Sequence, residues 1–149
     1  MKAPQRGQVL VFIALVMTLV LLPLAAYAID AATLGGAAAR LQAATAEAVM
    51  AAAQQIDAEV FRSRGELTID HAAARSTALE LLATEAPRAS VRSIRFQGSR
   101  LTLVASESVT LPFDFFTERS IVLTATASAR LAEGYERPSS RLPLPISTF

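Results

Sequence analysis

The sequence predicts an α+β fold: a transmembrane helix near the N-terminus continues into a long amphipathic helix, then a second helix, then a three-stranded antiparallel sheet. Three observations carry this expectation. Val9 to Ile29 is an apolar run without a charge. Asp30 to about Arg62 is Ala-rich, lacks Pro and is apolar at helical spacing. From Val91 onward the apolar period changes from helical to two.

The first element is the run VLVFIALVMTLVLLPLAAYAI, 21 residues from Val9 to Ile29. As a helix it is about 30 Å long, which matches the hydrocarbon thickness of a bilayer. Lys2 and Arg6 precede it and Asp30 follows at once. The positive-inside rule then keeps residues 1–8 in the cytoplasm and sends the remainder outside. A cleaved secretory signal is the competing reading. Lys2 and Arg6 would be its charged start, and Ala26-Tyr27-Ala28 an acceptable small-x-small site. The retained anchor is preferred because helical patterning does not stop at Ala28.

Leu34, Ala38, Leu41, Thr45, Val49, Ala52, Ile56 and Val60 follow at spacings of three and four, which is one face of a helix. Gly35-Gly36 is its one weak point, and Ser63-Arg64-Gly65 is its expected end. Thr68 or Asp70 caps a second helix that runs through Leu79, Leu81 and Leu82 to Glu85 and stops at Pro87. Val91 to Phe96 reads as a strand, and Gly98-Ser99 as a two-residue hairpin turn. In the next strand Leu101, Leu103, Ala105, Val109 and Leu111 share a side, and Glu107 interrupts them, which predicts a bulge or a strand end there. Ile121, Leu123, Ala125, Ala127, Ala129 and Leu131 alternate cleanly in the third strand. One apolar sheet face and one apolar face on each helix must cover each other, giving two layers over residues 30–133. Residues 134–149, with Pro138, Pro143 and Pro145, have no period and read as an extended tail.

Composition restricts the chemistry. The chain of 149 residues is 52% hydrophobic and 18% charged, with a formal net charge of +1. Arg residues are scattered among carboxylates in the sequence, so no nucleic-acid partner is expected. With no Cys, disulfides, thiolate metal sites and Cys nucleophiles are excluded. His71 is the single His; it adjoins Asp70 at a helix start, where neighbours point to different sides. Glu80 with Glu85, and Asp57 with Glu59, fit a solvated helix face better than a hydrolytic pair. The acidic residues are too dispersed for calcium, and Gly35-Gly36 lacks the Lys-Ser/Thr of a phosphate loop. No catalytic residue, cofactor, metal or small-molecule substrate is therefore expected. Candidate interaction surfaces are Leu34, Leu41 and Val49 on the long helix, the small residues of 25–53, whose alternative is a plain helix spacer, and the cluster Phe113, Phe115 and Phe116 around Asp114, for which a hairpin connection packed on the sheet edge is the preferred reading.

Arg6-Gly7-Gln8, an apolar helix, Asp30, and an Ala-rich helix containing Ala38-Ala39-Arg40-Leu41-Gln42-Ala43-Ala44 together resemble the TadE/TadG-like proteins. These are pilin-like accessory proteins of bacterial tight-adherence (Flp-type) pilus systems. Val104 to Phe116 followed by Ser120 to Leu131 resembles the paired strands that end such domains, so the likeness extends over most of residues 6–131. Each piece is compositional, and their order carries the weight. In the pseudopilin branch a prepilin peptidase cleaves after a Gly, and a Glu stands five residues into the mature chain. Gly7-Gln8 resembles that site, but the fifth position is Phe12, which cannot pair with a neighbouring subunit's amine. The sequence thus looks more like an unprocessed TadG-type member. The resemblance implies a non-enzymatic, single-pass protein of the bacterial cytoplasmic membrane with its domain outside. It would meet the lipid bilayer, pilin or minor pilin subunits and Tad assembly proteins, and contribute to assembly or anchoring of the pilus. A secreted binding module released after Ala28, or a membrane-tethered sensor or enzyme accessory domain, are the alternatives.

Overall fold

The computed structural model describes residues 6–113 and 120–131. Three helices, α1 (Arg6–Ala53), α2 (Ala58–Arg64) and α3 (His71–Glu85), precede three strands, β1 (Ala89–Gln97), β2 (Arg100–Thr110) and β3 (Ser120–Arg130). The sheet has the order β1-β2-β3 and is antiparallel throughout. The C-terminal half of α1 packs on β2 and β3, and α3 packs on α1 and β1, so two helices cover one face of the sheet. The α+β class, the apolar N-terminal helix and the three-stranded sheet are as the sequence predicts.

Helix α1 is 48 residues long and passes through Pro23, Gly35 and Gly36 without interruption. The two glycines do not break it. It stops at Ala53, short of the Arg62 that its periodicity suggested. The cause is tertiary. Ile56 pairs with Ile69 in an isolated bridge, the Asp57 amide donates to Thr68 O at 2.9 Å, and the Asp70 amide donates to Gln55 O at 2.8 Å. These contacts draw the chain out of the helix and close residues 57–68 into an excursion.

Within the excursion Asp57 caps α2, accepting from the amides of Glu59 and Val60, both at 3.0 Å. Gly65 ends α2 at φ +71°, a left-handed conformation that a side chain would strain. The expected Gly65 stop is thus real, but it terminates the short helix. Asp70 caps α3 in the same way as Asp57 caps α2, through the amides of Ala72 and Ala73.

The core is built largely from alanine. Ala44, Ala48 and Ala52 of α1 join Ala74 and Ala78 of α3, with Leu41, Val49, Leu82, Leu101 and Leu103 filling the space between helices and sheet. Thr45 is buried among them, and its hydroxyl donates to Leu41 O at 2.6 Å, so no polar group is left unpaired there.

Strand β2 is the central strand and stays in register with β3 from Arg100 to Thr110. Glu107 does not interrupt it: this residue pairs with Ala89 on one side and Leu123 on the other. The irregularity lies instead in β1, between Val91 and Ser93. Val91 and Ile94 both pack on the core, three residues apart, so a period of two needs one extra residue between them. Arg92 is that residue. At the hairpin, Gln97 pairs with Arg100 across Gly98-Ser99, and Gly98 takes φ +57°.

Candidate functional site

The apolar face of α1 divides at residue 30. Beyond it, the helix is covered by the domain. Before it, every residue of 9–29 is exposed except Pro23 and Ala26. Only 6% of the most apolar 18-residue window of this helix is buried within the protein, so the segment is not a core helix of this domain. It is long and apolar enough to cross a membrane. The Thr18 hydroxyl donates to Ala14 O at 2.8 Å and is thereby satisfied within the helix. The shallow groove along Val11, Ala14, Leu15, Thr18, Leu22 and Pro23 is the bare apolar flank of one helix.

The C-terminal end of that segment is fastened to the sheet. Asp30, 9% exposed, accepts a hydrogen bond at its Oδ1 from the backbone amide of Phe113, 3.1 Å away. The two residues are 83 positions apart, and no local pattern links them. Asp30 reads in the sequence only as the first charge after the apolar run. In the fold it joins α1 to the connection between β2 and β3.

The expected interaction residues are distributed differently from the sequence reading. Leu41 and Val49 are each 1% exposed and belong to the core, so they present nothing to a partner. Leu34 is half-buried. The physical reason is that the sheet already covers this stripe of α1. Phe113 is 40% exposed beside Asp30. Phe115 and Phe116 lie outside the described residues. Among the small residues of 25–53, Ala28, Ala32, Gly35, Gly36 and Ala39 are exposed on α1. Phe12 is exposed on the apolar segment; Gly7 and Gln8 lie within the helical backbone of α1. Ala26 and Ala28 sit in mid-helix, so cleavage there would sever α1 and remove the buried Ala26.

Three of the polar groups that invite a catalytic reading, Asp57, Asp70 and His71, have structural roles. Asp57 and Asp70 are helix caps. His71 stacks on Phe96, with ring centroids 4.1 Å apart and planes at 23°, rather than joining Asp70. Glu107, 6% exposed on the core side of β2, lines a cleft of about 270 Å³ with Arg40, Glu85, Pro87 and Arg88. Among the described residues no cluster of three His, Cys, Asp or Glu could hold a metal ion.

Folding also sorts the arginines, which the linear sequence scatters among carboxylates. Arg92, Arg95, Arg100 and Arg130 lie on the outward face of the sheet with Thr102, Ser106, Thr124 and Ser128. Arg100 stands directly opposite Arg130, and no acidic residue is among the described residues of that face. Arg92 Nε donates to Ser106 Oγ at 2.7 Å, and Arg130 Nε to Ser99 Oγ at 3.2 Å. The face carries no aromatic platform for stacking bases among its described residues.

Compared with models of known protein families, with curated proteins and with solved structures, the chain finds no match.

Proposed function

We propose that this chain is a non-catalytic, membrane-anchored, pilin-like protein that contributes to the assembly or anchoring of a tight-adherence (Flp/Tad-type) surface pilus. The observation that carries the anchoring is a single one. An exposed apolar segment of membrane-spanning length continues, as one uninterrupted helix, into the core of a folded domain. A removable leader needs no such continuity. The charges before the segment orient residues 1–8 to the cytoplasm and the domain to the outside. The pilus assignment rests on the likeness of the ordered pieces to TadE/TadG-like proteins. Its mechanism would be physical: the span holds the domain at the assembly site, and exposed small residues of α1 let another subunit's helix approach closely.

The test begins with the intact mass and N-terminal sequence of the protein from membrane and soluble fractions of its native host. A membrane-bound chain starting at Met1 is the expected result, and one starting at Gln8 would move the protein to the processed pseudopilins. A soluble chain starting at Ile29 would overturn the anchor and favour the secreted module. Deleting the gene and counting surface filaments by electron microscopy tests the pilus assignment separately. Unchanged filament number and attachment would sink it.

A further inference from the structure

We infer that the β2–β3 rim of the domain, at Pro112 and Phe113, is a second membrane contact that seats the domain on the outer headgroup region of the bilayer. The inference rests on the membrane-anchored reading of residues 9–29 and adds a surface that the anchor does not require. It starts from where the domain's cover of α1 ends. Ala26 is 5% exposed although it lies inside the apolar segment, and Asp30 is buried one turn later on the same side of the helix. Burial of α1 therefore reaches about 6 Å down into the apolar run. A domain merely tethered above a bilayer would leave that turn bare.

The rim is placed there by its own backbone. The Phe113 amide is bonded to Asp30, so Pro112 and Phe113 stand at the level where the apolar run ends. With residues 9–29 in the hydrocarbon, that level is the headgroup and glycerol zone. The exposed side chains suit this zone. Phe113 projects from the rim, Pro112 lies beside it, and Tyr27 projects from α1 one turn before Asp30. Aromatic rings concentrate at this depth because their apolar bodies leave water while their edges tolerate polar neighbours. Leu111, buried behind them, ties the rim to the core. Asp30 fits the same arrangement. The first carboxylate after 21 uncharged residues is covered by protein and bonded to an amide, and so is kept from facing acyl chains. A bilayer is the occupant the geometry favours, because the chain's own connectivity brings it to the rim. A protein partner would have to share that level with the lipid.

Two contacts fix what one leaves free. A domain on a lone helix can rotate and tilt, whereas the helix and the rim together hold the β1–β2 hairpin outward. That hairpin lies at the opposite end of β2, about 30 Å away.

The chain contains no Trp, so single-Trp variants report position directly. Full-length Phe113→Trp, Pro112→Trp, Val16→Trp and Gln97→Trp would be reconstituted in phosphatidylcholine vesicles. The lipids would carry bromine either near the headgroup end or near the methyl end of the acyl chains. The expected result is a blue-shifted Phe113→Trp emission quenched more strongly by the shallow bromine. Val16→Trp should be quenched more by the deep bromine, and Gln97→Trp by neither. Pro112→Trp gives an independent reading of the rim if replacing Phe113 disturbs the fold. Quenching at Val16→Trp with none at either rim position overturns the rim contact and leaves the anchor standing. Quenching at Gln97→Trp as strong as at the rim overturns the seated orientation. No quenching at Val16→Trp overturns the anchor and the inference with it.

Discussion

Leu103 is fully buried at the centre of β2, between Ile94 and Ala127 on the neighbouring strands. In a core made so largely of alanine, a few large side chains supply most of the apolar volume, and Leu103 is one of them. Leu103→Ala should therefore cost about 2–5 kcal/mol, because the helices that cover this face of the sheet cannot fully collapse into the gap. The opposite change, Ala48→Leu on α1, should also destabilise, by about 1–3 kcal/mol, since Ala48 has no exposed surface and an added branch must push α1 off its neighbours. Both are measured by denaturant unfolding of the detergent-solubilised protein, followed by circular dichroism. A cap makes a smaller contribution. Asp70→Ala should cost about 1 kcal/mol through the lost bonds to Ala72 and Ala73, and Asp70→Asn much less, because an amide oxygen can still accept. If Asn proves as costly as Ala, capping is not the role of Asp70.

At the scale of elements, α2 is the least anchored piece of the fold. None of its residues is buried, and the excursion that contains it is closed by the Ile56–Ile69 bridge and two backbone bonds. Segments with few buried contacts open first. Limited trypsin digestion of the detergent-solubilised protein should thus cut at Arg62 and Arg64 before Arg40, Arg75 or Arg100, with mass spectrometry reading the order. The two fragments should stay together, since the core joins α1 on one side of the cut to α3 and the sheet on the other. Earlier cutting at Arg100 would mean that the sheet, not the excursion, is the weak element. This excursion is also where sequence reading fell short. Ile56 and Val60 prolong the helical spacing of α1, and nothing local announces that Ile56 will pair with Ile69. The Asp57 cap was a usable signal, since an Asp at a helix start followed by Glu and Val fits a new first turn. The bulge was legible too, because Val91 and Ile94 are an odd number of residues apart. Glu107 concealed it: a carboxylate among apolar positions looks like an interruption, yet the fold keeps it in phase and buries it in the cleft lined by Arg40 and Arg88. A cap and Pro87 located α3, and alternation located β2 and β3, whereas the Asp30–Phe113 bond, set by long-range packing, left no trace in the sequence.

For the whole molecule, the decisive question is what surrounds residues 9–29, and one substitution separates the answers. Leu19 lies near the middle of the segment and is exposed. In water, replacing an exposed leucine with arginine changes folding stability by about 0.5 kcal/mol or less, and it improves solubility. In a bilayer the same arginine sits near the midplane, where insertion costs about 3–4 kcal/mol more than with the leucine it replaces. Leu19→Arg should therefore shift a measurable share of the protein from the carbonate-resistant membrane fraction to the soluble or degraded fraction. The folded domain, whose core begins beyond Asp30, should keep its unfolding transition. Leu103→Ala should do the reverse, weakening the domain while the chain remains in the membrane. If instead Leu19→Arg fractionates like the unaltered chain and only its solubility rises, lipid does not surround the apolar helix. Its exposed face would then need another cover, such as the helix of a neighbouring copy.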